Sequence, residues 1–318
     1  MNRHDLPALN TLPEMPPPPS PEVTQMLFPG FRSEFVQTSG AAIRVLIKGD
    51  GPPLLLLHGH PETHVAWHKI ADNLACDYTV VLPDLCGYGD SGKPEGGERH
   101  VNYSFRAMAR DQKETMRHFG FEQFFVAGHD RGGRVAHRLC LDYPESVRKV
   151  CLLDIAPTLT MYRDTSKEFA TKYVWWFLQI QPFPLPEHLI GLDPAFYLKD
   201  HLSVQCKTPG AVTPDALREY LRCYCCLGTI HAACEDYRAA AEIDLEMDDA
   251  DDRAGRKITA PVHVLWAAQG TVGRLWDVLE TWRAKAETVS GKALDCGHLL
   301  PEERPAEVLA ELRTFFGG

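Results

Sequence analysis

Short apolar runs alternate along this chain with polar stretches of helical spacing. Ala42–Ile47, Leu54–Leu57, Thr79–Leu82, Phe124–Ala127 and Val150–Leu153 read as buried strands. Between them, Glu62–Leu74, with Val65, Ile70 and Leu74 on one face, reads as a helix, as do Phe105–Phe119 and Gly133–Leu141. Strands alternating with helices predict a parallel sheet covered on both faces. Such sheets carry their chemistry beyond the carboxyl ends of the strands.

The rhythm breaks after Pro157. Residues 158–255 carry aromatic-rich helical patterns and no convincing strand. It resumes with a strand at Val262–Trp266, a helix around Trp276–Lys285 and a last helix after Pro305. The expected class is α/β: a mostly parallel sheet flanked by helices, formed by residues 25–157 and 256–318, with residues 158–255 inserted as a helical cap. Caps exclude water and supply substrate contacts. Residues 1–24, with Pro16-Pro17-Pro18-Pro19, read as a disordered, Pro-rich tail.

Composition narrows the function. The 318 residues are 44% hydrophobic, with mean hydropathy −0.24, and carry a net charge of −10. That balance argues against nucleic acid as a partner and offers an anionic substrate no long-range attraction. An anion site must therefore be built locally. Ten scattered cysteines without an even framework suggest reduced thiols in a cytoplasmic protein. The start Met1-Asn2-Arg3-His4 has no apolar core of a secretion signal. No apolar run approaches the roughly 20 residues of a membrane span, so no membrane partner is expected.

The chemistry centres on Gly128-His129-Asp130-Arg131-Gly132. This is the G-x-nucleophile-x-G form of a strand-to-helix elbow, with a carboxylate where serine is commoner. A carboxylate held there suits displacement at a saturated carbon, leaving an alkyl-enzyme ester. The expected base is His298, late in the chain and just before the final helix. Asp154 follows the strand end at Leu153 and is the expected orienting acid; Asp277 and Asp295 are weaker alternatives. Arg131 and Arg134, three apart, place two cations near Asp130 that could clamp a carboxylate. In His58-Gly59-His60-Pro61, the backbone N–H of His60, with that of Arg131, could form an oxyanion hole for ester hydrolysis. Cys223, Cys225, Cys226, His231 and Cys234 match no standard zinc spacing, so no metal is expected.

These pieces together resemble the fluoroacetate and haloacetate dehalogenases, a branch of the α/β-hydrolases. The likeness runs from about Phe28 to Phe316. It rests on the elbow through Arg134, Leu153-Asp154-Ile155-Ala156-Pro157-Thr158, Gln181-Pro182-Phe183-Pro184-Leu185-Pro186-Glu187, Cys234-Glu235-Asp236-Tyr237-Arg238-Ala239 and Gly297-His298. The resemblance implies Asp130 as nucleophile, Asp154 as acid and His298 as base, with Arg131 and Arg134 on the carboxylate of a small anionic halogenated substrate. It implies no cofactor, and it suggests a homodimer. In that family a histidine, a tryptophan and a tyrosine of the cap hold the departing halide. The tryptophan falls on Trp176 and the tyrosine on Tyr237, whereas the histidine is replaced by Trp175. A second departure is His60, where the family usually has phenylalanine. Two rival readings use the same framework. One is an epoxide hydrolase, with Tyr237 and Tyr162 or Tyr173 protonating the epoxide. The other is a non-catalytic binder of small carboxylates.

Overall fold

The computed structural model describes residues 11–317. Eight strands form one sheet: β1 (Arg32–Gln37), β2 (Ala42–Lys48), β3 (Pro53–Leu57), β4 (Thr79–Pro83), β5 (Phe124–His129), β6 (Val147–Leu153), β7 (Val262–Ala267) and β8 (Val289–Leu294). Their order is β1-β2-β4-β3-β5-β6-β7-β8. The pairs β1–β2 and β2–β4 are antiparallel; every later pair is parallel.

The side-chain alternation of a strand splits the core in two. Val45, Leu55, Val126, Leu152 and Val264 join one apolar cluster. Their neighbours Leu46, Leu54, Leu56, Ala127, Leu153 and Leu265 join the other. Because both faces are covered, the central strands read as unbroken apolar runs. The two edge strands do not. Arg32-Ser33-Glu34-Phe35-Val36-Gln37 buries only Val36, and Val289-Ser290-Gly291-Lys292-Ala293-Leu294 only Leu294. Neither was expected from the apolar pattern.

The predicted helix over Glu62–Leu74 is a 3-10 turn at His64–Trp67 followed by an α-helix at His68–Leu74. The helix at Phe105–His118 starts on a Ser104 cap that accepts from Ala107 N. Eight helices lie between Thr158 and Arg253, and no strand does. They are inserted between β6 and β7, over the carboxyl edge of the sheet.

The tail departs from its expected disorder. Residues 1–10 lie outside the described residues. From Pro13 onward the chain is tied to the cap: the carbonyls of Pro13 and Glu14 accept from Leu227 N and Gly228 N at 2.7 and 2.9 Å. These amides open the helix Leu227–Ala241 and have no partner within it. A Cβ at Gly228 would sit 2.4 Å from the Glu14 carbonyl oxygen, so glycine permits the approach. A Ser20-capped helix follows at Pro21–Leu27. Composition hid this order because backbone carbonyls, available to any sequence, make the contacts.

Candidate active site

Parallel β3, β5, β6 and β8 end at one edge, and the loop after each delivers a polar residue. These are His60 after Leu57, Asp130 after His129, Asp154 after Leu153 and His298 after Leu294. The elbow forces Asp130 to φ 47° and ψ −114°, outside the usual basins for a side-chain-bearing residue. The turn survives because its neighbours are bare. A Cβ on Gly59 would lie 2.5 Å from that of Asp130, and one on Gly132 would lie 2.5 Å from the His58 and Leu57 carbonyl oxygens. Directly after the elbow begins the helix Arg131–Asp142.

Asp130 is 4% exposed. Its Oδ1 accepts from His60 N at 3.0 Å, while Oδ2 lies 3.7 Å from His298 Nε2. His298 Nδ1 is 2.6 Å from Asp154 Oδ2, and Asp154 Oδ1 accepts from Ala267 N at 2.9 Å. The competing acids are engaged elsewhere. Asp277 caps the helix Val278–Arg283, and Asp295 accepts from Gln269. His129 contacts the His298 carbonyl oxygen (2.7 Å) through Nε2 and Glu62 (3.0 Å) through Nδ1, bracing the loop that carries His298.

Charge follows from these neighbours. Burial alone would raise the Asp130 pKa, but His298 and Arg134 outweigh it and hold the carboxyl well below its ordinary range. Burial alone would lower that of His298, but Asp130 and Asp154 push it up to about 10. The two shifts favour a protonated His298 beside an ionised Asp130 in the resting site.

The arginines are both buried but differ in partners. Arg131 donates to Asp236 of the cap helix, Nε to Oδ2 at 2.8 Å and Nη2 to Oδ1 and to the main-chain oxygen. Its guanidinium lies over the rings of Tyr237 (4.2 Å) and Phe105 (4.7 Å), and Nη1 has no partner. Arg134 donates to the Ala156 carbonyl (3.2 Å), Thr158 Oγ1 (2.9 Å) and Met161 Sδ (3.3 Å) and lies 4.7 Å from the Trp176 ring centroid. Among the described residues no carboxylate pairs with Arg134, and its Nε has no partner.

The two adjacent tryptophans diverge. Trp176 is fully buried with an unpartnered indole N–H, beside Tyr162 (5.0 Å) and Tyr237 (6.2 Å). Trp175 packs at a tilt against His201 (4.3 Å) and Tyr173 (4.9 Å). It lines a cavity of about 630 Å³ that also touches His201, Asp154, His298, Lys172 and Lys207. The expected halide trio is thus split: Trp176 and Tyr237 face each other, and Trp175 turns to the outer cavity.

Sequence reasoning passed over Asp236, His129 with Glu62, and His201. Asp236 stood in plain view next to Tyr237, and a carboxylate in an apolar helix was its signal. His201 gave none, because its place depends on how two cap helices pack.

The cysteines of the cap do not converge on an ion. Cys226 Sγ meets the Cys223 carbonyl and Thr229, and His231 meets Glu187. Among the described residues only Asp90, Glu219 and Cys223 come within metal-ligand range of one another, and Arg222 already pairs with both carboxylates.

Comparison with known proteins agrees with this fold. The family description "alpha/beta hydrolase fold" matches residues 52–305. A fluoroacetate dehalogenase from Burkholderia sp is 39% identical over 290 residues, covering 91% of this chain and 95% of that protein. A soluble epoxide hydrolase from Corynebacterium sp. (strain C12) is 32% identical, covering 93% and 98%. Among solved structures, an α/β hydrolase from Nostoc sp PCC 7120 superposes with a TM-score of 0.89 at 54% identity, covering 90% of this chain and 98% of that one.

Proposed function

Within the α/β hydrolase fold family, to which this chain belongs, we propose a hydrolytic dehalogenase that converts haloacetate-type 2-haloacids to 2-hydroxy acids and halide. The observation that carries this reading is Arg134, a cation 2% exposed that, among the described residues, no carboxylate contacts; only the more distant charge of Asp130 offsets it, and its Nε has no partner. Leaving a charge buried and unpaired is costly. The carboxylate of a substrate would relieve it, docking on Arg134 Nε and Arg131 Nη1. The likeness to a fluoroacetate dehalogenase supports the same reading.

Asp130 Oδ1 is held by the His60 N–H, which leaves Oδ2 to attack the halogen-bearing carbon from the side opposite the halogen. The carbon–halogen bond breaks with its electrons on the halide, which departs toward Trp176 and Tyr237. The new ester is neutral. His298 then loses the Asp130 charge that helped raise its pKa, and its proton is released more easily. Neutral His298, oriented by Asp154, takes a proton from water, and the hydroxide attacks the Asp130 carbonyl carbon. The oxygen that becomes negative is the one already facing the His60 N–H. As the carbonyl re-forms, the bond from the Asp130 carboxyl carbon to the ester oxygen breaks, and the 2-hydroxy acid leaves with the proton His298 took from water, regenerating the carboxylate.

The test is halide release from fluoro-, chloro- and bromoacetate, with Asp130→Asn as control. His298→Asn should trap the ester as a mass increase on the peptide containing Asp130. An unmodified peptide, with wild-type protein turning over the same acid, would count against the covalent scheme.

Epoxide hydrolysis is the second reading, favoured by the unpartnered hydroxyl of Tyr162 beside Trp176 and by the Corynebacterium relative. A neutral epoxide would leave Arg134 unmatched. Styrene oxide assayed beside chloroacetate separates the two. The homodimer implied by resemblance would form on the cap, where Leu185, Leu189, Leu192 and Phe196 are exposed; light scattering reads the mass.

A further inference from the structure

His60 has a side chain that the scheme above leaves idle. Only its backbone N–H serves Asp130. The imidazole is 1% exposed and packs edge-on against His201 (5.1 Å), Tyr237 (5.2 Å), Tyr224 (5.9 Å) and Tyr88 (6.0 Å). Burial, then the neighbouring His201, hold its pKa well below the ordinary histidine value, so the ring is neutral.

A neutral imidazole has one N–H donor and one acceptor nitrogen. His60 Nε2 lies 3.4 Å from the amide nitrogen of Gln179, a cap residue. With Gln179 donating through that nitrogen, Nε2 accepts and the ring proton sits on Nδ1, an assignment of tautomer that follows from the amide orientation. That Nδ1 has no partner. A buried donor left unmet is costly, and a ring like phenylalanine would fill the space without that cost. The ring that carries the unmet donor packs against Tyr237, whose ring also meets that of Trp176 with its own unmet N–H. Trp175, which the resemblance would put in this role, is engaged with His201 at the outer cavity.

We propose that the Nδ1–H of His60 donates to the halide as it leaves, completing with Trp176 and Tyr237 a three-donor pocket that Trp175 does not supply. The assignment rests on the dehalogenase reading and deepens it. As the Asp130 oxygen–carbon bond forms and the carbon–halogen bond breaks, the leaving atom gains the electron pair, and the neutral ring meets it with a hydrogen bond, without giving up its proton. Fluoride gathers charge most compactly and depends most on such donors, so His60 biases the enzyme toward the smallest halide.

The experiment compares wild-type protein with His60→Phe, which keeps the ring and the backbone N–H but removes both nitrogens. Fluoride release should fall about ten- to a hundredfold in kcat, the expected loss for one hydrogen bond to a charged group. Chloride release should fall less and bromide least, with KM nearly unchanged and the melting temperature not lowered. Equal losses for all three halides, or no loss, would overturn the proposal. So would a ¹⁵N spectrum placing the His60 proton on Nε2, since Nδ1 would then be an acceptor facing an anion. If wild-type protein releases no halide from any of the three acids, the underlying reading fails first and takes this assignment with it; halide release without a graded His60→Phe effect sinks this assignment alone.

Discussion

On one side of Asp130 stand His298, Asp154, His129 and Glu62. On the other stand Arg131, Arg134, Trp176 and His60. On the first side the chain of contacts runs from residue to residue: Ala267 to Asp154, Asp154 to His298, the His298 backbone to His129, His129 to Glu62. On the second, every one of the four keeps a buried polar atom with no partner, whereas on the first only His298 Nε2, 3.7 Å from Asp130 Oδ2, and Glu62 Oε1 do. The first side is built to hold its geometry with nothing bound. The second carries a desolvation cost that the proposed anionic substrate would relieve, so binding free energy would enter there. Preorganisation and binding are thus divided across a single side chain.

The largest break in this contrast comes from Asp154→Ala. It strips His298 of its orienting acid and leaves Ala267 N–H unmet. Halide release should fall by about 10²–10⁴, the usual range for general-base catalysis, with KM little altered. A large change in KM at constant kcat would place Asp154 on the binding side instead. Arg134→Gln should do the reverse, lowering kcat/KM about ten- to a hundredfold chiefly through KM for the acid. Trp176→Phe sharpens the point. It removes an unmet donor, so urea denaturation should find stability unchanged or raised by up to about 1 kcal/mol, while turnover falls about tenfold. A loss of several kcal/mol would mean the indole is structural.

The smallest effect is a pH dependence of stability. His298 has its pKa raised from 6.5 to about 10 in the folded protein. The stabilisation this represents is fully present below about pH 6.5 and disappears as the pH rises through about 10. Wild-type protein should therefore lose melting temperature between pH 7 and 10 more steeply than His298→Asn. Parallel curves would show that the paired side is not held by charge.

How much of this could be read beforehand follows from locality. The elbow, the His58–Pro61 turn and the strand end at Leu153 are backbone devices encoded within a few residues, so Asp130, His60 and Asp154 could be placed from sequence. Central strands were legible because both faces are buried; β1 and β8 were not, because each buries a single side chain. The cap was legible as helical but not in its contacts. Trp175 and Trp176 are neighbours in sequence, yet which indole faces Arg134 and which faces His201 is set by long-range packing. The same holds for Asp236, whose motif was visible while its bond to Arg131 was not.

The Arg131–Asp236 pair has a mechanical consequence. It joins the core helix to the cap helix by three hydrogen bonds, and Tyr88 Oη adds a fourth to Asp236 at 2.6 Å. Swinging the lid away as a rigid plate would break this buried ion pair and the Tyr88 bond together. The lid is riveted at that end. The Trp175–His201 flank is fastened differently: there rings meet without an ion pair, beside a cavity that reaches Asp154 and His298.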